Sequence, residues 1–293
     1  MKNKACVTII GGGVVGSATA YYLAKNGLTD VVLLERDYLS SGSTGRCGGG
    51  IRQQWSERMN VRLAMRSVEH FKNFEREVGL NIEYFQGGYL LLAYTEEEEA
   101  LFKKNVVMQQ EEGLDVVLLS REETVRKFPF MNLEDLKLSA YCPSDGHANP
   151  HLTTFGYARA AEKMGVEVST HTDAKRVLVE NGKIKTVVTD RGEIETGIVV
   201  NTAGGYSHQV GEMVGLNLPT ESYRHQIFVT ESLEHILDPL VISFLNNFYI
   251  RQTESGNFIM GQGDRDELPG LEITPTWKFL KEMSDKMPRF FPF

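Results

Sequence analysis

Residues 7–27, VTIIGGGVVGSATAYYLAKNG, with the run DVVLLE at 30–35, decide the fold. Val7, Ile9 and Ile10 belong to an apolar run that stops at glycine, the pattern of a strand buried on both faces. A helical stretch follows from Val14 to Asn26, with Gly27 near the C-cap position. Val31 to Leu34 read as a second buried strand. Strand, helix and strand in this order make a βαβ unit with parallel strands.

Gly11, Gly13 and Gly16 stand at G-x-G-x-x-G spacing between strand and helix. Gly11 allows the tight turn, Gly13 lets backbone approach a pyrophosphate, and Gly16 lets the helix pack close to the sheet. The helix N-terminus, with Val14 and Val15 in its first turn, points N–H groups and its positive dipole end at phosphate oxygens. Glu35 ends the second strand about 20 residues on, where an acid accepts hydrogen bonds from ribose hydroxyls and repels a 2′-phosphate. Arg36 adjoins it and is assigned to the same site. These features predict a dinucleotide site and disfavour NADP. They leave NAD and FAD open, since both contain adenosine diphosphate.

A second cluster bears on that choice. RDYLSSGSTGRCGGGIRQQW, residues 36–55, carries Ser40, Ser41, Ser43 and Thr44, then Gly48, Gly49 and Gly50 in a row. A nicotinamide domain usually moves promptly to its next helix. A long small-residue loop suggests backbone wrapped against a bulkier ligand, such as the far half of FAD. The plain alternative is a flexible surface loop, although Arg46, Ile51 and Arg52 make the run unlike a simple linker.

These stretches resemble the D-amino-acid-oxidase superfamily of FAD-dependent amine oxidoreductases, in particular sarcosine oxidase β subunits, glycine oxidase and the β subunits of dye-linked proline dehydrogenases. GHANPHLTTFGYARAAEKMGVEV (146–168), IVVNTAGGYS (198–207) and FYIRQTESGNFIMG (248–261) are similar to family segments, in the family order. The resemblance implies FAD as cofactor and an α/β fold with a Rossmann-like, glutathione-reductase-like FAD-binding domain. It also implies an α+β substrate domain whose mixed or antiparallel sheet roofs the flavin. Both domains are then discontinuous, with FAD-binding parts at 1–80 and 144–215 and substrate parts at 81–143 and 216–293. Val177 is implied as a backbone contact to the adenine, and Ala203 and Gly204 as further cofactor contacts beside Ser43, Thr44 and the three glycines.

Flavin amine oxidation moves a hydride from a Cα–H to the flavin, so the protein must orient the amine, keep it neutral and seat any carboxylate. Arg52 matches the place of a carboxylate-binding arginine in some relatives, and its fork geometry suits that role. The alternatives are a helix-start surface residue or a ligand of a cofactor phosphate. Tyr249 and Arg251 alternate with Phe248 and Ile250 on one strand and so share a side, facing either the pocket or solvent. His225, in YRHQ on another roof strand, is structural or, if neutral near the flavin, tunes amine protonation. Cys47 is read as a small buried residue rather than a covalent flavin link.

The rest of the pattern is ordinary. A helix is predicted from Asn60 to Val78, and strand–turn–strand in IEYFQGGYLLLAYT (82–95). The helix at 96–113 begins with four glutamates that suit its dipole. Another helix runs from His151 to Gly165. A β-meander with turns at Asn181-Gly182 and Arg191-Gly192 then feeds the strand IVVN. His147 and His151 are four residues apart, but Pro150 interrupts any helix that would align them, so no metal site is expected.

The chain has 293 residues, 41% hydrophobic and 24% charged, ordinary for one large or two modest domains. A net charge of −8 argues against nucleic acid as a partner. No apolar run is long enough to span a bilayer, and no signal peptide is read at the start. Cys6, Cys47 and Cys142 lack paired spacing, which suits a reducing, cytoplasmic setting.

The end, WKFLKEMSDKMPRFFPF (277–293), stops on Phe290, Phe291 and Phe293, read as an unshielded aromatic cluster. Family members continue from here, so a truncated chain or a surface supplied by a partner is expected, with weak retention of FAD. The reading as a whole is an FAD-dependent oxidoreductase of a small amine or amino acid of the sarcosine, glycine or proline type, as a β-type subunit with an α-type partner or as a homo-oligomer. The alternatives are an NAD-dependent dehydrogenase and a non-catalytic FAD-binding or assembly subunit.

Overall fold

The computed structural model describes residues 1–292; Phe293 lies outside the described residues. The opening motif builds a parallel four-stranded sheet, ordered Ile198–Asn201, Val7–Ile10, Val31–Leu34, Glu167–Ser169. Every residue of Val7–Ile10 and Val31–Leu34 is buried. The alternation along these strands explains why both are apolar throughout. Ile9, Val31 and Leu33 face the helices Val14–Lys25 and Pro150–Lys163, where Ala20, Ala24, Ala158 and Ala161 let the layers close up. Ile10, Val32 and Leu34 face Val177, Val187 and Ile194. Those three belong to a small antiparallel sheet of Ala174–Glu180, Lys183–Thr189 and Gly192–Glu195. Its first hairpin turns at Asn181 and Gly182, both at positive φ (51° and 71°), the conformation such a two-residue turn requires.

A second sheet has seven strands, in the order Gln226–Ser232, Asn257–Gln262, Phe248–Gln252, Leu240–Ser243, Tyr89–Ala93, Leu138–Cys142, Val117–Ser120. Leu240–Ser243 runs parallel to Tyr89–Ala93 and antiparallel to Phe248–Gln252. One face carries Leu90, Leu92, Val241, Phe248, Ile250, Phe258 and Met260 into a core closed by the helix Trp277–Phe290 through Phe279, Met283 and Met287. The strand period then turns Tyr249 and Arg251 to the opposite face. A two-stranded ladder, Gly50–Ile51 against Gly146–His147, ties the second glycine cluster to the segment after Leu138–Cys142.

Several expectations need correction. The helix predicted from Asn60 to Val78 is two helices, Arg58–Lys72 and Phe74–Val78, broken at Asn73 and ended by Gly79 at φ 87°. Only the second half of 82–95 is a strand; Phe85 makes a single bridge to His147. Pro150 opens its helix rather than interrupting one, with Asn149 as the cap accepting from the His151 and Leu152 N–H groups. His225 precedes its strand by one residue. Of the terminal aromatics, Phe290 and Phe291 are not open, while Phe293 lies outside the described residues. Phe291 is 3% exposed in the second core, and Phe290 packs on Phe248 with ring centroids 4.7 Å apart. The amphipathic last helix carries them on to apolar neighbours that the sequence alone does not reveal.

Among the described residues no helix is long and apolar enough to cross a membrane. Leu33 is fully buried between the first sheet and its helices. Leu33→Ala is expected to cost about 2–5 kcal/mol, read as a lower midpoint in urea unfolding.

Candidate functional site

The turn after Val7–Ile10 is crowded in the way its glycines suggest. Gly11 sits at φ 115°, and a Cβ there would lie 2.4 Å from the Thr202 carbonyl oxygen. At Gly16 a Cβ would come within 1.9 Å of the Gly11 oxygen, so only glycine lets the helix lie this close to the strand. Thr202 locks the turn from the neighbouring strand, its Oγ1 donating to the Ile10 and Gly11 carbonyls at 2.9 and 3.0 Å. Glu35 points into the same turn. Its Oε2 accepts from the Gly12 N–H at 2.7 Å, and its Oε1 from the Asp37 N–H at 2.9 Å and Ser41 Oγ at 3.3 Å.

The second cluster folds back on to the first. Thr44, in the short 3-10 turn Ser43–Arg46, accepts from the Val14 N–H at 3.2 Å. Gly13, the helix N-cap, has no side chain to satisfy the remaining amides. Val15, on the first helical turn, is 63% exposed. Nearby, Arg36 lies 3.8 Å over the Tyr206 ring, just after Ala203 and Gly204. Gly204 sits at φ 55° with open space where a Cβ would point. Val177 is buried on the edge strand of the small sheet. An amide-rich helix start with room beside it and a buried carboxylate at the next strand end fit the diphosphate and ribose of a dinucleotide.

At two of the glycines at 48–50 the fold itself leaves no room for a side chain. A Cβ on Gly49 would meet the Ala148 oxygen at 2.2 Å, and one on Gly50 the Tyr89 hydroxyl at 1.7 Å. The chain's own atoms demand glycine there. Gly48 faces the roof: Arg251 Nε donates to its carbonyl, and Tyr249 lies 3.5 Å from where its Cβ would be. Tyr249 in turn stacks on His225, with centroids 5.9 Å apart and planes 9° apart. Tyr249, Arg251 and His225 therefore stand together over the second glycine cluster. Cys47, at the edge of this group, is exposed rather than buried, because its Sγ turns outward to the Thr44 carbonyl at 3.0 Å.

Arg52 leaves the same cluster and is not at a helix start, since the next helix begins at Arg58. Its guanidinium lies 4.2 Å over the Trp55 ring, and its Nε is buried with no hydrogen-bond partner among the described residues. Arg251 is 6% exposed. Neither arginine forms an ion pair among the described residues, and burial lowers the pKa of both. Burial also keeps the nearby rings uncharged. The His147 pKa falls to about 3, helped by the Arg251 charge, the His225 pKa is lowered, and that of the Tyr249 phenol rises to about 12. Two cations held largely out of water, neither in a direct ion pair among the described residues, make an anion-seeking site.

Sequence reasoning missed Asp145, Gln53, Gln54 and Tyr89, and weighed His147 only as a metal ligand. Asp145 is wholly buried and accepts three hydrogen bonds from the two glutamines. Burial raises its pKa to about 6, against those hydrogen bonds. Asp-Gly at 145–146 reads as a turn in sequence, and nothing local says that the turn is internal.

A parallel nucleotide sheet with two interlocked glycine turns, roofed by a mixed sheet that brings aromatic and cationic groups to the second turn, defines a dinucleotide-binding fold. The family model for FAD dependent oxidoreductases, DAO, matches residues 6–293, and the chain belongs to that family, whose cofactor is FAD. It is 32% identical over 265 residues to the sarcosine oxidase β subunit of Rhizobium meliloti, covering 89% of this chain and 64% of that protein. It is 32% identical over 292 residues to human mitochondrial sarcosine dehydrogenase, covering 98% of this chain and 31% of that one. The chain thus spans less than two thirds of these curated relatives. The crystal structure of L-proline dehydrogenase from P. horikoshii superposes with a TM-score of 0.93 at 36% identity, covering 100% of this chain and 78% of that one.

Two outcomes are expected. Gly16→Ala forces the helix off the strand, and the purified protein loses most of its bound flavin, read from visible absorbance. Asp145 has a folded pKa of about 6, above its ordinary value of 3.8. The folded state then binds the extra proton between those values, so this group's contribution to stability falls as pH rises through them. Asp145→Asn removes that fall, and urea midpoints between about pH 4 and pH 7 should decline less in the variant than in the wild type.

Proposed function

We propose that the chain carries the catalytic site of an amine oxidoreductase acting on the C–N bond of a small amino acid with a secondary or tertiary amine, of the sarcosine, dimethylglycine or proline kind. The observation that carries this reading is Arg52: a half-buried guanidinium beside the glycine cluster, its Nε without a hydrogen-bond partner among the described residues, and its charge felt together with that of Arg251 at the buried Tyr89. Such a group seats a carboxylate.

FAD, when bound, supplies the acceptor for the hydride leaving the substrate Cα. The Val14–Lys25 helix start and the 11–16 turn hold its diphosphate. Glu35 would accept ribose hydroxyls on the carboxylate lone pairs that its amide partners leave free. Val177, Ala203 and Gly204 line the adenosine side, and Ser43, Thr44 and Gly48 the path towards the ring. Arg52 orients the substrate by its carboxylate, so that one face of the Cα–H is presented. Tyr249 and Arg251 exclude water from above. His225, kept neutral by burial, leaves a neighbouring amine free of a competing positive charge. The imine that forms is released to hydrolysis.

In this reading the residues at 1–80 and 144–215 serve the cofactor, and those at 81–143 and 216–292 the substrate. The β-subunit relatives favour a partner subunit that receives the electrons or completes the assembly.

Arg52→Ala is expected to lower kcat/KM for amino-acid substrates by roughly 10- to 100-fold, the loss of one charge-assisted contact. An uncharged amine should be affected far less. A panel of amines with an artificial acceptor, run beside an absorbance scan for flavin, checks both points. Equal losses for the two substrate classes would remove Arg52 from the role.

A further inference from the structure

Asp145 is a fully buried carboxylate outside the set of groups assigned above. No arginine or lysine forms an ion pair with it among the described residues. Amide donors meet its charge instead. Oδ1 accepts from the Gln53 backbone N–H at 2.7 Å and from Gln53 Nε2 at 3.0 Å, and Oδ2 accepts from Gln54 Nε2 at 3.1 Å. Its own backbone is tied to the ends of two roof-sheet strands. The Asp145 carbonyl accepts from the Gly88 N–H at 3.0 Å, one residue before the strand Tyr89–Ala93. The Asp145 N–H donates to the Cys142 carbonyl at 3.3 Å, at the end of Leu138–Cys142. Gln54 Nε2 adds a bond to the Tyr89 carbonyl at 3.2 Å.

The segment that Asp145 grips has no secondary structure of its own, since it runs from the strand ending at Ile51 to the helix starting at Arg58. Arg52 is its first residue. The Arg52 carbonyl accepts from Trp55 Nε1 at 2.9 Å, and the Trp55 ring carries the Arg52 guanidinium. The arm is held by a two-residue strand before it, by the grip on Gln53 and Gln54 next to Arg52, and further on by Gln109 Nε2, which donates to the Trp55 carbonyl at 2.8 Å, and the helix at Arg58. A long arginine stem on an unpinned arm would spread its charge over many positions and lose affinity to that disorder. Burying a carboxylate without a cation costs stability, and here the cost coincides with the one arm that carries the anion-binding group. The charged or titratable groups that sense Asp145 are Arg52, Tyr84, Tyr89 and Cys142.

We infer that Asp145 is the positioning residue for Arg52: by pinning Gln53 and Gln54 to the roof sheet it sets where the guanidinium stands, and so how strongly the site selects a carboxylate. The inference rests on the reading of Arg52 as the carboxylate anchor.

Calorimetric titration in the presence of FAD tests it without turnover. The probes are methoxyacetate, a carboxylate with no oxidisable amine, and methoxyacetamide, its uncharged counterpart. Asp145→Ser is expected to weaken methoxyacetate on the order of tenfold while methoxyacetamide changes by less than about threefold. Asp145→Asn, whose Oδ1 keeps both Gln53 bonds, should recover most of that loss. Equal weakening of the two probes, or no recovery in Asp145→Asn, overturns the positioning role. If Asp145→Ser does not fold, Gln53→Met removes one of the three donors and is read by the same ratio. A loss of carboxylate selectivity of about two- to threefold supports the role, and an unchanged ratio overturns it. Arg52→Gln separates the two readings. If methoxyacetate binds Arg52→Gln as it binds the wild type, the anchor reading fails and the positioning role with it. If Arg52→Gln loses the probe and Asp145→Ser does not, the positioning role alone fails.

Discussion

The close approach of the first helix to the first strand is the constraint on which the site depends. At Gly16 there is no room for a single methyl group against the Gly11 carbonyl. That contact fixes where the helix start opens and therefore where amide N–H groups are offered to an anion. Glu35 and Thr202 hold the same turn from the strands on either side. A pyrophosphate cradle made of backbone has little freedom to adjust, so its geometry must come from packing.

The roof depends on a second contact, between Arg251 and Gly48. It joins a strand near the end of the chain to a loop near its beginning. The same strand sends Phe248 and Ile250 into the apolar core beneath the last helix. The core therefore sets the height and tilt of Tyr249 and Arg251 over the cluster. Packing on one face of the sheet is converted into site geometry on the other.

Charge in the pocket is arranged unusually. A half-buried and a buried guanidinium, Arg52 and Arg251, form no ion pair among the described residues, while the buried carboxylate of Asp145 is answered by amides. Protein interiors normally pair such groups. With the groups apart, the proposed anchor Arg52 carries no direct ion pair, and the carboxylate is committed to the Gln53–Gln54 segment. The neutral rings of His147, His225 and Tyr249 add no competing charge.

The nucleotide half of the protein was legible from the residues alone. Glycine spacing, the burial pattern of short strands, the terminal Glu35 and the Asn181-Gly182 turn are local signals, and the forces behind them act within a few tens of residues. The alternation that puts Tyr249 and Arg251 on one side is local too, but which side faces the pocket was not. Gly48 meets Arg251 across 203 residues of chain, and Gln53 meets Asp145 across 92. The crowding at Gly49 and Gly50, the burial of Phe291 and the grip of Asp145 all arise from contacts between segments far apart in the chain. Only tertiary structure decides such contacts, because a residue's pattern records whether it is buried and not what it is buried against.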